Sequence, residues 1–264
     1  MGKKSCVIEV VGSWVIAVAV LAVGCDPTEP LEVGPNQLVS AGDFGPSDNS
    51  LERWQSEQSA VRAIDARNGT PIIVVGFNDG GGTLDFFGNP VPPGTQNRMG
   101  YAFLRDGETQ WTYGRVPIAG GTGPITGANG DPWMATNVTR DRVYYAGLGI
   151  SEFSADDGPD SLLVAVHDDL GAPGFWRPAF AETGPITNQG DVSTIPAGNG
   201  ADKPSIAVSP DAAEDVYLVW SCPRINCSAT QMRSVQFMRV DGADGSLHQT
   251  SIDSGGLLIQ NPSS

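Results

Sequence analysis

The sequence predicts an all-β protein that is built from three copies of one four-stranded unit. Three alanines, Ala63, Ala135 and Ala207, stand 72 positions apart, and each lies in a strand-like run that a turn connects to a second such run. Glycine and proline, with 34 and 20 residues among 264, are abundant enough to supply many turns between short strands. After residue 25, no segment has the periodicity of an amphipathic helix.

The first 25 residues have the organisation of an export signal. Lys3 and Lys4 form a positive amino-terminal region, and residues 14–23 form an apolar stretch too short to cross a bilayer. Residues 21–25, Leu-Ala-Val-Gly-Cys, resemble the lipobox of bacterial lipoproteins, in which a peptidase cuts before the cysteine and the thiol carries diacylglycerol. The resemblance implies lipidation of Cys25 and a cell-envelope protein held on a bacterial membrane by acyl chains. An ordinary secretory signal is the alternative.

A flexible tether is predicted between this signal and the body of the protein. Residues 26–55 contain proline-bearing turn and linker signals at 26–30 and 45–48. Residues 56–264 form the predicted body. Its repeats lie near 56–127, 128–199 and 200–264.

Two cysteines remain in the predicted body, Cys222 and Cys227. The four residues between them suit a disulfide across a loop, and export would place that loop in an oxidising compartment. A zinc site would need two more ligands, and the whole chain has only two histidines. The spacing therefore favours a disulfide.

The charge of the chain excludes one class of partner. The net charge is −15, and Lys203 is the only lysine after Cys25. Because phosphate binding needs clustered lysine and arginine, a nucleic-acid partner is not expected. The acidity either keeps the protein soluble or gives it a surface that attracts cations.

Each repeat contains four strand-like runs, and turn signals such as Asp-Gly separate the runs within pairs. Two hairpins in each repeat make a four-stranded antiparallel sheet, which is the blade of a β-propeller. The predicted runs are 60–64, 72–77, 101–104 and 111–116 in the first repeat, 132–136, 143–147, 162–166 and 175–177 in the second, and 204–208, 216–220, 235–240 and 247–250 in the third.

Three blades are too few to close a propeller, which typically has four to eight. We therefore expect a partial propeller, an open arc in which residues 255–260 look like the start of further structure. Exposed apolar flanks of such an arc invite self-association, unless the chain is a fragment of a longer propeller. A flatter sandwich of sheets is the alternative architecture.

Asp131 and Asp202 precede the first strand of the second and third repeats and are candidate ligand-binding residues. In a propeller this position lies on one face, near the axis. The alternative is a turn cap, because an aspartate side chain readily accepts a hydrogen bond from the backbone two residues on.

The hairpins in the second half of each repeat resemble the Asp-box of sialidase-like, or BNR-repeat, propellers. In the first repeat Asp106 is followed five places later by Trp111, and a stretched version in the second repeat contains Asp169 and Trp176. The resemblance covers residues 56–253. In that family the aspartate ties the turn and the tryptophan packs between blades, so the resemblance implies a fold and not an activity.

No catalytic residue can be assigned from the sequence. Sialidases use an arginine triad, a tyrosine paired with a glutamate, and an aspartate, and that set has no matching positions in this chain. The acidic turns at 156–160 and 241–245 could bind calcium, although ordinary turn chemistry is the favoured explanation, and no other cofactor or metal is expected. We expect a non-catalytic module that binds a glycan or a protein. The alternatives are a secreted glycoside hydrolase of sialidase type and a truncated propeller fragment without function.

Replacing the lipobox cysteine tests the predicted anchor. Cys25→Ser removes the thiol that would carry the acyl chains, so the protein should move from the membrane fraction to the soluble fraction of the producing cell. Immunoblots of the two fractions measure this shift. A Cys25→Ser variant that stays in the membrane fraction would show that the protein is not held there by a lipid on this residue.

Overall fold

The computed structural model is all-β, with fifteen strands and no helix among the residues that it describes. The predicted export signal, Cys25 and the predicted tether up to residue 54 lie outside the described residues. Within the described part of the chain there is therefore no helix of the length and apolarity needed to cross a bilayer. These residues belong to one compact unit, Val39–Ser264. They are 55–79, 97–118, 125–152, 159–170, 176–211, 214–222, 234–253 and 258–260.

Sheet 1 confirms the four strands predicted for the first repeat. It contains β1 (Gln55–Ile64), β2 (Pro71–Asp79), β3 (Met99–Arg105) and β4 (Thr112–Arg115). The strands are antiparallel and follow one another across the sheet in chain order.

Sheet 2 has six strands, two more than predicted. Its spatial order is β5-β6-β7-β10-β9, and the very short β8 also pairs with β7. The sequence predicts a connection without strands where β9 and β10 lie, whereas this segment forms a hairpin with the two-residue turn Gly190-Asp191. The strands are β5 (Ile125–Thr136), β6 (Val143–Ser151), β7 (Ser161–His167), β8 (Arg177–Pro178), β9 (Thr187–Gln189) and β10 (Val192–Pro196).

Sheet 3 contains the four predicted strands and one more. Residues 258–260, in the segment expected to begin further structure, form β15, which pairs with β14 and so satisfies backbone groups on the outer edge of this sheet. The order across the sheet follows the chain. The strands are β11 (Asp202–Val208), β12 (Val216–Cys222), β13 (Ser234–Val240), β14 (Leu247–Asp253) and β15 (Leu258–Gln260).

The three alanines that reveal the repeat occupy equivalent positions. Each is the penultimate residue of the first strand of its sheet, and each pairs with the second residue of the following strand. The pairs are Ala63 with Ile72, Ala135 with Tyr144, and Ala207 with Tyr217. The 72-residue spacing is therefore a structural repeat.

A buried polar residue follows each of these alanines by two positions and closes the first turn of its sheet. The residues are Asp65, Asn137 and Ser209. The N–H of Asp65 donates to Thr70 O at 2.9 Å, and Asn137 and Ser209 donate to the far side of their own turns in the same way. The Asp65 carboxylate also accepts hydrogen bonds from the backbone N–H and the guanidinium of Arg67, at 2.9–3.1 Å.

The sheets pack face to face around two hydrophobic clusters. Side chains of sheets 1 and 2 share one cluster, which includes Phe103, Tyr145 and Trp176. Side chains of sheets 2 and 3 share the other, which includes Leu162 and Trp220. Nearly every residue of β6 and β7 is buried, because sheet 2 lies between its two neighbours.

Removing the Asp65 carboxylate should destabilise the protein in a pH-dependent way. Asp65→Ala leaves the Arg67 N–H without its acceptor, which should cost about 1–3 kcal/mol of unfolding free energy at pH 7. The pKa of Asp65 is lowered from its ordinary value, chiefly by the hydrogen bond from the Arg67 side chain. A depressed pKa stabilises the fold above the unfolded-state value and ceases to do so as pH falls through the folded-state value, so the difference from wild type should shrink below about pH 4.

Urea unfolding of both proteins at pH 7 and pH 3 measures this effect. Asp106→Ala is the matched control, because Asp106 is an exposed aspartate in the turn between β3 and β4. That control should stay within about 0.5 kcal/mol of wild type. An Asp65→Ala deficit of the same size at both pH values would show that the charge of Asp65 contributes nothing.

Candidate functional site

The two ends of the sheets carry connections of different length. At one end, short turns join the first strand of each sheet to the second, and we call this the hairpin end. At the opposite end, the longer segments 80–98, 152–160 and 223–233 join the second strand to the third, and we call this the long-loop end. Most residues of those three segments lie outside the described part of the chain. Binding residues are commonly positioned by a rigid scaffold next to such loops.

Asp131 and Lys203 are equivalent residues in the first strands of sheets 2 and 3, 72 positions apart at the long-loop end. Each lies where a β-bulge shifts the strand register. Each also has a φ of 51°, in the left-handed region. For a residue with a Cβ atom, this conformation is unfavourable by about 1 kcal/mol, so surrounding contacts must hold the backbone there.

An ion pair joins these two residues across sheets 2 and 3. The Lys203 Nζ atom lies 3.2 Å from Asp131 Oδ2 and 3.9 Å from Asp202 Oδ1. Asp131 is half-buried, whereas Lys203 is exposed. The two aspartates singled out from the sequence therefore lie at one ammonium group. Because that ammonium is solvated, the pair contributes about 1 kcal/mol or less to stability.

Asn78 ties Asp131 to sheet 1. The N–H of Asp131 donates to Asn78 Oδ1 at 2.6 Å, and Asn78 Nδ2 lies 3.5 Å from Asp131 Oδ1. Gly130, with a φ of 88°, makes this approach possible, because a Cβ atom there would lie 1.9 Å from Asn78 Oδ1. Only glycine suits the position, for both its conformation and its lack of a side chain.

A second ion pair continues the line of charges across sheet 1. The Arg115 Nε atom lies 2.6 Å from Asp79 Oδ2, and Asp79 is buried. Two ion pairs therefore flank Asn78 at the long-loop end, Arg115–Asp79 in sheet 1 and Lys203–Asp131 between sheets 2 and 3. We call this set the polar cluster; it consists of Asn78, Asp79, Arg115, Asp131, Asp202 and Lys203.

An exposed tryptophan accompanies the polar cluster. Trp133 has 41% of its surface exposed and follows Asp131 by two residues in β5. Because a strand advances about 3.3 Å per residue, the two Cα atoms are at most about 7 Å apart. A large exposed ring next to charged and amide groups offers both an apolar platform and hydrogen-bonding partners.

The hairpin end carries a different polar network, centred on Glu214. Its carboxylate contacts Arg142 Nη1 at 2.8 Å and accepts hydrogen bonds from the Tyr144 hydroxyl at 3.1 Å and from Asn137 Nδ2 at 3.0 Å. Burial, reinforced by the charge of Glu214, raises the pKa of Tyr144 to about 12. A phenol that attacks as a nucleophile needs the opposite shift. The network therefore links sheets 2 and 3 and does not activate Tyr144.

The Asp-box-like residues lie at or near the hairpin end. Trp176 is buried between sheets 1 and 2, with its ring centroid 5.3 Å from that of Tyr101. Trp111 is half-buried and directly precedes β4. Asp106 and Asp169 are both exposed, and Asp169 Oδ1 lies 3.9 Å from an Arg67 guanidinium nitrogen. Trp111 directly precedes β4, and Trp176 directly precedes β8. Trp176 also contributes to the packing between sheets 1 and 2.

The predicted disulfide stays a prediction. Cys222 is buried at the end of β12, with its Sγ atom 3.7 Å from the carbonyl oxygen of Asn199. Cys227 lies outside the described residues.

The acidic turn at 241–245 is stabilised by its own carboxylates. Asp241 Oδ1 accepts the N–H of Ala243 at 2.9 Å, and Asp244 Oδ1 accepts the N–H of Ser246 at 2.8 Å. The other acidic turn, 156–160, lies mostly outside the described residues. Within the described ranges, no three His, Cys, Asp or Glu side chains are grouped so that they could hold a metal ion.

No protein-family model matches the sequence, and no curated protein is significantly similar to it. The interpretation of the site therefore depends on its own geometry. Sequence reasoning named Asp131 and Asp202 but missed Asn78, Lys203 and Trp133. The spacing of 72 residues between Asp131 and Lys203 is the signal that could have brought Lys203 into the site.

Two substitutions distinguish the effect of the strained backbone at Lys203 on stability from the effect of the Lys203 charge. Lys203→Ala removes the ion pair but keeps a Cβ atom, so the positive φ remains unfavourable. Lys203→Gly removes the ion pair and also the Cβ atom that makes the positive φ unfavourable. The glycine variant should therefore be more stable than the alanine variant by about 1 kcal/mol. Urea denaturation midpoints of the two variants measure the difference. An alanine variant as stable as the glycine variant would show that the backbone at residue 203 is not held in the left-handed conformation.

Proposed function

We propose that this protein is an exported, lipid-anchored envelope protein that binds a glycan or protein ligand at its long-loop end without catalysis. In this proposal the three sheets are the blades of an incomplete β-propeller related to the sialidase-like, BNR-repeat class. The export signal and the lipobox support the location, and the repeat supports the architecture.

The contacts between sheets support the blade interpretation. The first strands, β1, β5 and β11, are neighbours, since β5 contacts both of the others. From each of these strands the second and third strands of the sheet follow in chain order. A propeller has this arrangement, with the first strands near the axis and the sheets radiating from it.

The observation that carries the binding proposal is the Lys203–Asp131 pair beside the exposed Trp133. Non-glycine residues in left-handed backbone are concentrated at ligand-binding and catalytic sites, where surrounding contacts maintain the strain. An aromatic ring with a few fixed polar groups is typical of ligand sites. Sugars suit this combination, because their C–H faces stack on aromatic rings while their hydroxyl groups bond to carboxylates, amides and ammonium groups.

The polar cluster has the electrostatics of a binding site more than of a glycosidase. A glycosidase needs one carboxyl group whose raised pKa keeps it protonated, close to a second that is ionised. In the polar cluster, Asp79 and Asp131 each have a cation as their ion-pair partner, Arg115 and Lys203 respectively, and are not paired with a second carboxyl group.

A sialidase-type hydrolase is the second candidate function, and Asp191 is the observation that favours it. Burial raises the pKa of Asp191, as a general acid requires. This residue lies in the turn between β9 and β10, and its N–H donates to Pro117 O at 3.1 Å.

Glycan-array binding combined with turnover of fluorogenic sialosides tests the proposal. Wild-type protein should bind a defined set of glycans and release no fluorophore. Trp133→Ala and Lys203→Ala should each weaken binding at least about tenfold, the equivalent of about 1.4 kcal/mol. Val138→Ala is the control, because Val138 is 61% exposed at the hairpin end and should leave binding unchanged.

Two results would contradict the proposal. If Trp133→Ala and Lys203→Ala bind as wild type does, the ligand site lies elsewhere. If fluorophore is released and Asp191→Asn abolishes that release, the protein is a hydrolase.

A further inference from the structure

Among the residues that the structure describes, the outer face of sheet 1 and the outer face of sheet 3 are not covered by another sheet. Sheet 2 is covered on both faces by its neighbours, whereas sheets 1 and 3 are each covered on one. On the other face of sheet 1, Ile73 is 46% exposed, and on the other face of sheet 3, Val235 is 43% exposed. These values are high for branched apolar side chains in the middle of a sheet protein.

The repeat shows what the uncovered face of sheet 1 is built to contact. Ile73, Tyr145 and Leu218 are equivalent, since each directly follows the residue that pairs with the repeat alanine. Tyr145 packs in the cluster that sheet 2 shares with sheet 1, and Leu218 packs in the cluster that sheet 3 shares with sheet 2. This face thus packs against the preceding sheet wherever there is one, and sheet 1 has none among the described residues.

The uncovered face of sheet 3 is equivalent to the face that sheets 1 and 2 each turn towards the sheet that follows them. Ile72, Tyr144 and Tyr217 are equivalent, as the residues that pair with the alanines. Ile72 packs towards sheet 2, and Tyr144 packs towards sheet 3. Tyr217 is half-exposed, and its ring stacks on that of Phe237 at a centroid distance of 6.0 Å.

Both faces are mainly apolar, and each also carries one arginine: Arg62, which pairs with Ile73, and Arg239, which pairs with Tyr217. We call the first the sheet 1 flank; it includes Arg62, Ile73, Val75 and Leu104. We call the second the sheet 3 flank; it includes Ala207, Tyr217, Val219, Val235 and Phe237. All of these side chains are at least partly exposed.

We propose that a second copy of this chain covers both flanks. The sheet 1 flank of each copy packs on the sheet 3 flank of the other, by the same type of contact that joins sheets 1 and 2 and sheets 2 and 3 within one chain. The proposed contact is therefore a continuation of an interface that the chain already forms twice. Each copy contributes three sheets, so the pair contains six, within the range of four to eight that closes a propeller.

Head-to-tail contact makes the pair a closed dimer with two identical interfaces. Each interface contains one flank of each kind, so a single substitution in either flank damages both interfaces. This inference depends on the repeat of the sheets and is independent of ligand binding at the long-loop end.

Sedimentation velocity of the full chain carrying Cys25→Ser tests the proposal. At micromolar concentration the protein should sediment with twice the 27.6 kDa mass of the chain. Ile73→Asp and Val235→Asp should each give a monomer, because each places a charge in both interfaces. Val138→Asp is the matched control and should remain dimeric, since Val138 is exposed in a turn at the hairpin end.

Mixing the two monomeric variants identifies the geometry of the contact. A heterodimer of Ile73→Asp and Val235→Asp combines both damaged flanks in one interface and leaves the other interface intact. The mixture should therefore contain a dimer species that neither variant forms alone. Circular dichroism of each variant checks that the strands are retained.

A monomeric starting protein overturns the proposal, as does a dimer that survives both flank substitutions. A mixture without heterodimer excludes head-to-tail contact. A sedimenting mass greater than that of two chains would show that two copies do not form a closed propeller, and would instead indicate a larger ring or an open filament.

Discussion

The packing of sheet 2 between sheets 1 and 3 is the constraint on which the rest of the structure depends. Strands β6 and β7 have no face left for solvent, and their almost uninterrupted apolar sequence follows from that position. The same packing places the three first strands side by side. It therefore brings Asn78, Asp131 and Lys203, each from a different sheet, into one line of contacts at the long-loop end.

Most of the strands were predictable from the sequence, because alternation, turn residues and the alanine spacing agree with one another. The hairpin of β9 and β10 was missed, since both strands are short and belong to no equivalent segment in the other repeats. Its turn, Gly190-Asp191, is an ordinary hairpin signal. The site was predictable only in part. Asp131 and Asp202 can be picked out from the sequence, although Asp131 lies within β5 and not before it, because β5 begins at Ile125. The ammonium group facing Asp131 becomes evident only when the two repeats are placed side by side.

The two polar networks of the protein have different relations to solvent. The network around Glu214 at the hairpin end is half-buried or buried and joins sheets 2 and 3. The polar cluster at the long-loop end includes an exposed ammonium group and adjoins an exposed tryptophan. Similar chemistry, carboxylates facing cations, thus reinforces packing at one end and is presented to solvent at the other.

The bulge in the first strand of each sheet separates the part of the repeat that must stay constant from the part that can diverge. After the bulge, the alanine position stays the same in all three copies: Ala63, Ala135 and Ala207. At the bulge itself the three copies carry Ser59, Asp131 and Lys203: a hydroxyl, an acid and a base. A duplicated unit can in this way acquire new surface chemistry, copy by copy, while its interior stays the same.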